Sequence, residues 1–160
     1  MRIGILGAGM MANLLMQTIE KLNFSYVAVL GRKESEEKVK TLCEENKLDT
    51  YFLDYDEMLN SDIDTIYIAL PNHLHSEFAK KALLHGKHVI IEKPITANVA
   101  QLKELIEIAE KQENMLFEAM NIHYLPAYCS LKEELTQVGQ LKIVSLNYSQ
   151  YSSRYDAFKN

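Results

Sequence analysis

Within the first dozen residues a short apolar run, Ile3, Ile5 and Leu6, leads straight into Gly7-Ala8-Gly9-Met10-Met11-Ala12. A helical spacing follows at once in Leu14, Leu15, Ile19 and Leu22. The order is strand, tight glycine turn, helix. Gly7 allows the turn, and Gly9, with no side chain, lets a diphosphate approach the backbone. The small Ala12 lets the helix pack close to the strand. The helix start then offers free N–H groups and a positive dipole end to phosphate oxygens. A lone G-x-G-x-x-A is a weak signal. With a strand before it and a helix after it, it reads as a dinucleotide-binding turn rather than a structural one.

Apolar runs and helical patterns alternate through the rest of the chain. Residues 26–30, 51–52, 65–70, 88–91 and 115–119 read as further strands. Helical patterns fall at 35–48, with Val39, Leu42 and Cys43 facing in, at 55–59, and at 74–84, which Gly86 can stop. A strongly amphipathic helix is expected at 98–111, burying Leu102, Leu105, Ile106 and Ala109, and another at 127–135. Short buried strands bounded by helices predict an α/β fold, a doubly wound parallel sheet of Rossmann type with helices on both faces. After Gly139 the pattern changes. Residues 141–151 alternate and are rich in β-formers, so they are expected to open a second, antiparallel α+β unit that is cut off at Asn160. The expected division is a cofactor domain at 1–122 and, at 123–160, a connecting helix and first strand of a further domain.

Composition narrows the function. At 160 residues the chain can bury a sizeable core, and 48% hydrophobic with 24% charged residues is ordinary for a soluble globular protein. A net charge of −5 with no basic cluster argues against nucleic acid as a partner. No apolar run reaches the length of a membrane span and no secretory signal opens the chain, so no membrane partner is expected. Cys43 and Cys129 match no metal or redox spacing and suit a cytoplasmic protein.

In an open parallel sheet, ligands sit outside the carboxyl ends of the strands, so the residues that follow each strand carry the chemistry. After the second strand comes Gly31-Arg32-Lys33, with no acid at that turn to hold a ribose 2′-hydroxyl. Arg32 and Lys33 offer positive charge where a 2′-phosphate would lie, which favours NADP, with NAD as the alternative. After the fourth predicted strand comes Leu70-Pro71-Asn72-His73-Leu74-His75, where Pro71 and Asn72 set a turn. His73 and His75 lack a third ligand in register, so no metal site is expected. After the next strand comes Glu92-Lys93-Pro94. Lys93 would emerge at the crevice, where an amine can exchange a proton with a substrate hydroxyl, and Glu92 would hold it by an ion pair. Taken alone, a lysine after a strand is ordinarily a surface residue.

The glycine turn, Pro71-Asn72-x-x-His75 and Gly86-Lys87-His88-Val89-Ile90-Ile91-Glu92-Lys93-Pro94 occur in this order and spacing. Together they resemble the glucose-fructose oxidoreductase / inositol 2-dehydrogenase family, Gfo/Idh/MocA. Glu118-Ala119-Met120 with Pro126-Ala127 resembles its trans-dihydrodiol dehydrogenase branch. The resemblance implies a two-domain oxidoreductase moving a hydride between NADP or NAD and a CH–OH group of a sugar, polyol or diol. It implies that Lys93 is the catalytic lysine, supported by Glu92, and that Pro94 follows a cis peptide bond. It places Gly7, Gly9, Met10 and Met11 at the diphosphate, Arg32 at the adenosine ribose, and Leu70, Asn72 and His75 toward the nicotinamide. Glu92 falls near the nicotinamide ribose. The full-length enzyme is expected to be a homodimer or larger homo-oligomer.

Two departures bear on this reading. Where the branch commonly carries Trp and Arg after Glu-Ala-Met, this chain has Asn121 and His123, both expected to border the nicotinamide and substrate crevice. The family's second catalytic acid would lie beyond Asn160. The competing class is a non-catalytic, redox-sensing module on the same fold, which has no need of Lys93. An S-adenosylmethionine methyltransferase shares the glycine turn but does not explain Glu92-Lys93-Pro94.

Overall fold

The computed structural model of the protein describes residues 1–149. Met1–Met120 form one compact unit, and a second begins at Asn121. In the first unit, β1 (Arg2–Leu6), β2 (Tyr26–Leu30), β3 (Thr50–Phe52), β4 (Thr65–Ile68), β5 (His88–Ile91) and β6 (Leu116–Glu118) make one sheet. Its strand order is β3-β2-β1-β4-β5-β6, and every neighbouring pair is parallel. This is the doubly wound Rossmann order. The connections carry α1 (Met10–Met16), α2 (Glu36–Glu45), α3 (Tyr55–Leu59), α4 (His75–Leu84) and α5 (Val99–Lys111).

The side-chain period of two along a strand sends consecutive residues to opposite faces, and each face has its own core. Ile3, Ile5, Val27, Val29 and Tyr67 pack with Ala12 and Met16 of α1 and Val39 and Cys43 of α2. Leu6, Ile66, Ile68, Val89 and Ile91 pack with Met58 and Leu59 of α3, Ala79, Ala82 and Leu83 of α4, and Leu105 and Ala109 of α5. Each fully buried Ile or Leu contributes about 1.5–3 kcal/mol. Asp54 caps α3 by accepting from the N–H groups of Asp56 and Glu57, and Asn98 caps α5 by accepting from Gln101 N–H at 3.0 Å.

Several expectations need correction. The first helix ends at Met16, and a one-turn 3-10 segment at Ile19–Lys21 carries the pattern on. Ile19 is buried there, while Leu14 and Leu22 face solvent. On α5 the inner stripe is Leu105, Ala109 and the partly buried Ile108, whereas Ile106 is exposed. Both isoleucines continue a helical period, and only the tilt of the helix on the sheet selects between them.

The second unit holds a 3-10 turn, Asn121–Tyr124, and α6 (Pro126–Leu135), with Pro126 in its first turn. The His123 ring meets the edge of Tyr128 at 5.7 Å. The strand expected at 141–151 is absent over 141–149, which carry no regular secondary structure; residues 150–151 lie outside the described residues. A strand is a set of ladder hydrogen bonds with a neighbour, and alternation without a partner strand does not make one.

Candidate active site

Register aligns the site. Phe52, Leu30, Leu6, Ile68, Ile91 and Glu118, the last residues of the six strands, are consecutive register partners across the sheet. Every following loop therefore leaves the sheet from one line. The ladder runs one residue further at Ala69 N–H to Leu6 O (3.0 Å), Gly31 N–H to Phe52 O (2.9 Å) and Glu92 N–H to Ile68 O (2.9 Å). The loops after β1, β2 and β4 wall a cleft of about 1070 Å³.

Gly7 opens the cleft with φ +106°, a backbone conformation that L side chains rarely adopt, and a Cβ there would lie 2.7 Å from the Ala69 carbonyl oxygen. A Cβ on Gly9 would meet no protein atom within 4 Å, so the space above the turn is open. Gly9 is also the N-cap of α1, with no side chain capping the helix, and Ala12 is fully buried against the sheet. An uncapped helix start beneath open space fits a phosphate-bearing ligand.

Of the residues singled out in the sequence, Gly7, Ala8, Gly9, Arg32, Lys33, Leu70 and Pro71 all line this cleft. Met10 projects into solvent, Met11 is half-buried, Asn72 is exposed, and none of the three lines it. Asn121 belongs to the second unit. Glu34, close to the turn in the sequence and expected to begin the next helix, instead lines the cleft from the 3-10 turn Lys33–Ser35, ahead of α2; sequence reasoning missed Lys38, which lines it from α2. Three cations and one carboxylate thus share that wall. The apolar part of the lining includes Tyr55 and Phe78, whose rings are 5.0 Å apart and tilted by 35°. The Tyr55 hydroxyl donates to Phe78 O at 2.9 Å, and burial raises its pKa, helped by the Asp56 carboxylate.

The turn after β5 is built differently. Glu92 is 6% exposed and does not pair with Lys93. Its Oε1 instead accepts from the hydroxyl of Tyr67, the buried tyrosine of β4. The expected ion pair fails because consecutive residues leaving a strand point to opposite faces: Glu92 follows the face of Ile90 and Tyr67, and Lys93 cannot share it. Burial raises the Tyr67 pKa, and the hydrogen bond to the Glu92 carboxylate raises it further. No buried side-chain N or O among the described residues lacks a partner, and Glu92 has one hydrogen-bonded oxygen. Its Oε2 accepts from no group among the described residues. Tyr67 could have been found in the sequence, since a hydroxyl inside the run Thr65-Ile66-Tyr67-Ile68 demands a polar partner.

Lys93 is exposed and the Lys93–Pro94 peptide bond is cis, as the resemblance implied. Ile95 N–H then donates to Glu118 Oε1 at 2.9 Å, tying the turn to the end of β6. His75 is not a cleft residue. It is fully buried at the start of α4, with Nδ1 2.8 Å from Pro94 O and Nε2 2.8 Å from Leu70 O. Both polar atoms are engaged within the protein, leaving none for a direct cofactor contact. His73 is exposed in the 3-10 turn Asn72–Leu74.

Comparison with known proteins agrees with this geometry. The family profile described as "Oxidoreductase family, NAD-binding Rossmann fold" matches residues 1–120. The chain is 35% identical over 161 residues to scyllo-inositol 2-dehydrogenase (NADP(+)) IolU of Bacillus subtilis (strain 168), covering 99% of this chain and 48% of the relative. It is 28% identical over 151 residues to a trans-1,2-dihydrobenzene-1,2-diol dehydrogenase of Xenopus tropicalis, covering 91% of this chain and 45% of that one. A crystal structure of KijD10, a 3-ketoreductase from Actinomadura kijaniata in complex with TDP-benzene and NADP, superposes with a TM-score of 0.78 at 26% identity. That match covers 86% of this chain and 43% of KijD10. The chain spans about half the length of these relatives. The chain belongs to the Gfo/Idh/MocA oxidoreductase family.

Proposed function

We propose that this chain is the cofactor-binding part of an enzyme that moves a hydride between NADP(H) and a CH–OH or carbonyl carbon of a sugar, polyol or diol. The observation that carries the reading is that the glycine turn, the Arg32–Lys33 turn and the Leu70–Pro71 loop wall one cleft, with the Glu92–Pro94 turn leaving the sheet from the same line. Residues 1–122 are the cofactor domain, and 123–160 begin a further, substrate-binding domain. The enzyme works in the cytoplasm, a reading supported by two free cysteines, and the full-length protein is a homo-oligomer. Among the described residues, no helix is long and apolar enough to cross a membrane.

The residues divide the work. Gly7, Ala8 and Gly9 leave backbone N–H groups open to the diphosphate. Arg32 and Lys33, with Lys38 beyond them, take the 2′-phosphate; Glu34 opposes an anion there, and the cations outnumber it. Tyr55 and Phe78 give the adenine an apolar wall, and Leu70 and Pro71 guide the chain of the cofactor toward the nicotinamide. Glu92 would hold a ribose hydroxyl of the cofactor through Oε2, while the Tyr67 hydroxyl fixes Oε1. A nicotinamide bound here supplies hydride acceptance and donation. Lys93 Nζ takes the proton of the substrate hydroxyl during oxidation and returns it to the carbonyl oxygen during reduction. The redox-sensor reading gives Lys93 no task.

The test is a panel of polyols, sugars and diols with the full-length protein, followed through NADPH absorbance. Turnover of at least one member that is lost in Lys93→Met is the expected result. Turnover that survives Lys93→Met overturns the assigned role.

A further inference from the structure

His75 is a fully buried titratable side chain that the chemistry above leaves unused. Both of its ring nitrogens face backbone carbonyl oxygens at 2.8 Å, Pro94 O at Nδ1 and Leu70 O at Nε2. Carbonyl oxygens only accept, whereas a neutral imidazole has one N–H and one lone pair. A neutral ring therefore satisfies one carbonyl and sets its lone pair against the other at 2.8 Å. Turning the ring over brings C–H groups to both oxygens and loses both bonds. The side chain is shut off from solvent, so no bulk water can act as the missing donor. The titratable and charged groups on the elements that meet the ring are Glu77, Lys80 and Lys81 on α4, His73 in the turn before it, and Glu92 and Lys93 after β5. Glu77, His73 and Lys93 are exposed, Lys80 pairs with Glu104 and Lys81 with Asp56, and Glu92 is bonded to Tyr67. The oxygens that face the ring are thus the two carbonyls, and two charge-assisted hydrogen bonds are what offsets burial of a charge there.

We propose that His75 carries a proton on both ring nitrogens and is the positioning residue that ties the Leu70 carbonyl to the Pro94 carbonyl. The tie joins a wall of the cleft to the turn that bears Lys93, so the binding loop and the reacting side chain hold one arrangement. Its effect on the cofactor rests on the function proposed above, whereas its protonation does not.

The experiment has two arms. In the first, the wild-type protein carries 15N-labelled histidine rings and is examined by NMR at neutral pH. The His75 signals are assigned by elimination with substitutions at the other four histidines. Two protonated ring nitrogens on His75 are expected; one protonated and one bare nitrogen overturns the proposal. In the second, wild type, His75→Gln and Ala82→Gly are titrated with NADPH. Ala82 is buried on the same helix and bonds to neither loop, so it reports simple loss of stability. His75→Gln is expected to weaken NADPH roughly tenfold, the worth of one charge-assisted hydrogen bond, while Ala82→Gly lowers the Tm and leaves the affinity unchanged. Unchanged affinity in His75→Gln, or equal loss in both variants, overturns the positioning role. Should His75→Gln fail to fold, the ring-nitrogen result on wild type decides. A wild-type protein that does not bind NADPH contradicts the proposed function, and the first arm still decides the tie.

Discussion

The loops after β1 and β2 and those after β4 and β5 leave the sheet from one line, yet they are built by opposite means. The first pair works through backbone and empty space: Gly7 at φ +106°, open room above Gly9, and exposed cations on a one-turn segment. The second pair works through buried polar side chains held across strands, Tyr67 on Glu92 and His75 on two carbonyls. On the function proposed above, the first pair receives the phosphates of the cofactor, and the second carries Lys93 together with the polar contacts that hold its surroundings. Loss of the Lys93 amine alone should then leave binding intact, and that can be tested.

The sharpest test removes the amine. Lys93→Met in the full-length enzyme should lower kcat by about 10²–10⁴-fold, the usual worth of a general acid–base group, with NADPH affinity and Tm unchanged. A matching loss of affinity would erase the division between the two sides. Next in size, Gly7→Val strikes the binding side. Its Cβ meets the Ala69 carbonyl oxygen at 2.7 Å in a strained conformation. Denaturant unfolding should show a loss of about 3 kcal/mol, with NADPH binding lost alongside. Arg32→Ala leaves the fold intact and should cost NADPH about 1.5–3 kcal/mol, read as its Kd, while the NADH affinity stays near wild type. Equal losses for both cofactors would break the 2′-phosphate assignment.

The smallest effect sharpens the chemistry side. Tyr67→Phe leaves the buried Oε1 of Glu92 without its donor, and unfolding experiments should show a cost of about 1–3 kcal/mol. Replacing both partners, as Tyr67→Phe with Glu92→Leu, removes the orphaned group and should recover most of that loss. Additive losses would mean that the two side chains act independently.

What could be read from the sequence follows the same divide. The glycine turn is local: its residues are adjacent in the chain, and their conformational demands are fixed by their own chemistry. The strand at 88–91 and the helix at 55–59 were likewise legible, since apolar period and flanking polar residues are local signals. That Tyr67 needs a polar partner was legible too, but not that the partner is Glu92, nor what His75 bonds to. Tyr67 lies 25 residues from Glu92, and Pro94 lies 19 from His75. Only strand register and loop path bring them together. The alternation at 141–151 misled for a related reason, because a strand exists only with a neighbour, and 141–149 show none.

Calorimetric titration of this chain with NADPH and, separately, with NADH tests the central claim most directly. The account predicts saturable NADPH binding that is clearly tighter than NADH binding, carried by the glycine turn and the cations after β2. Heats of dilution alone for both cofactors, under conditions where the chain is shown to be folded, would contradict it.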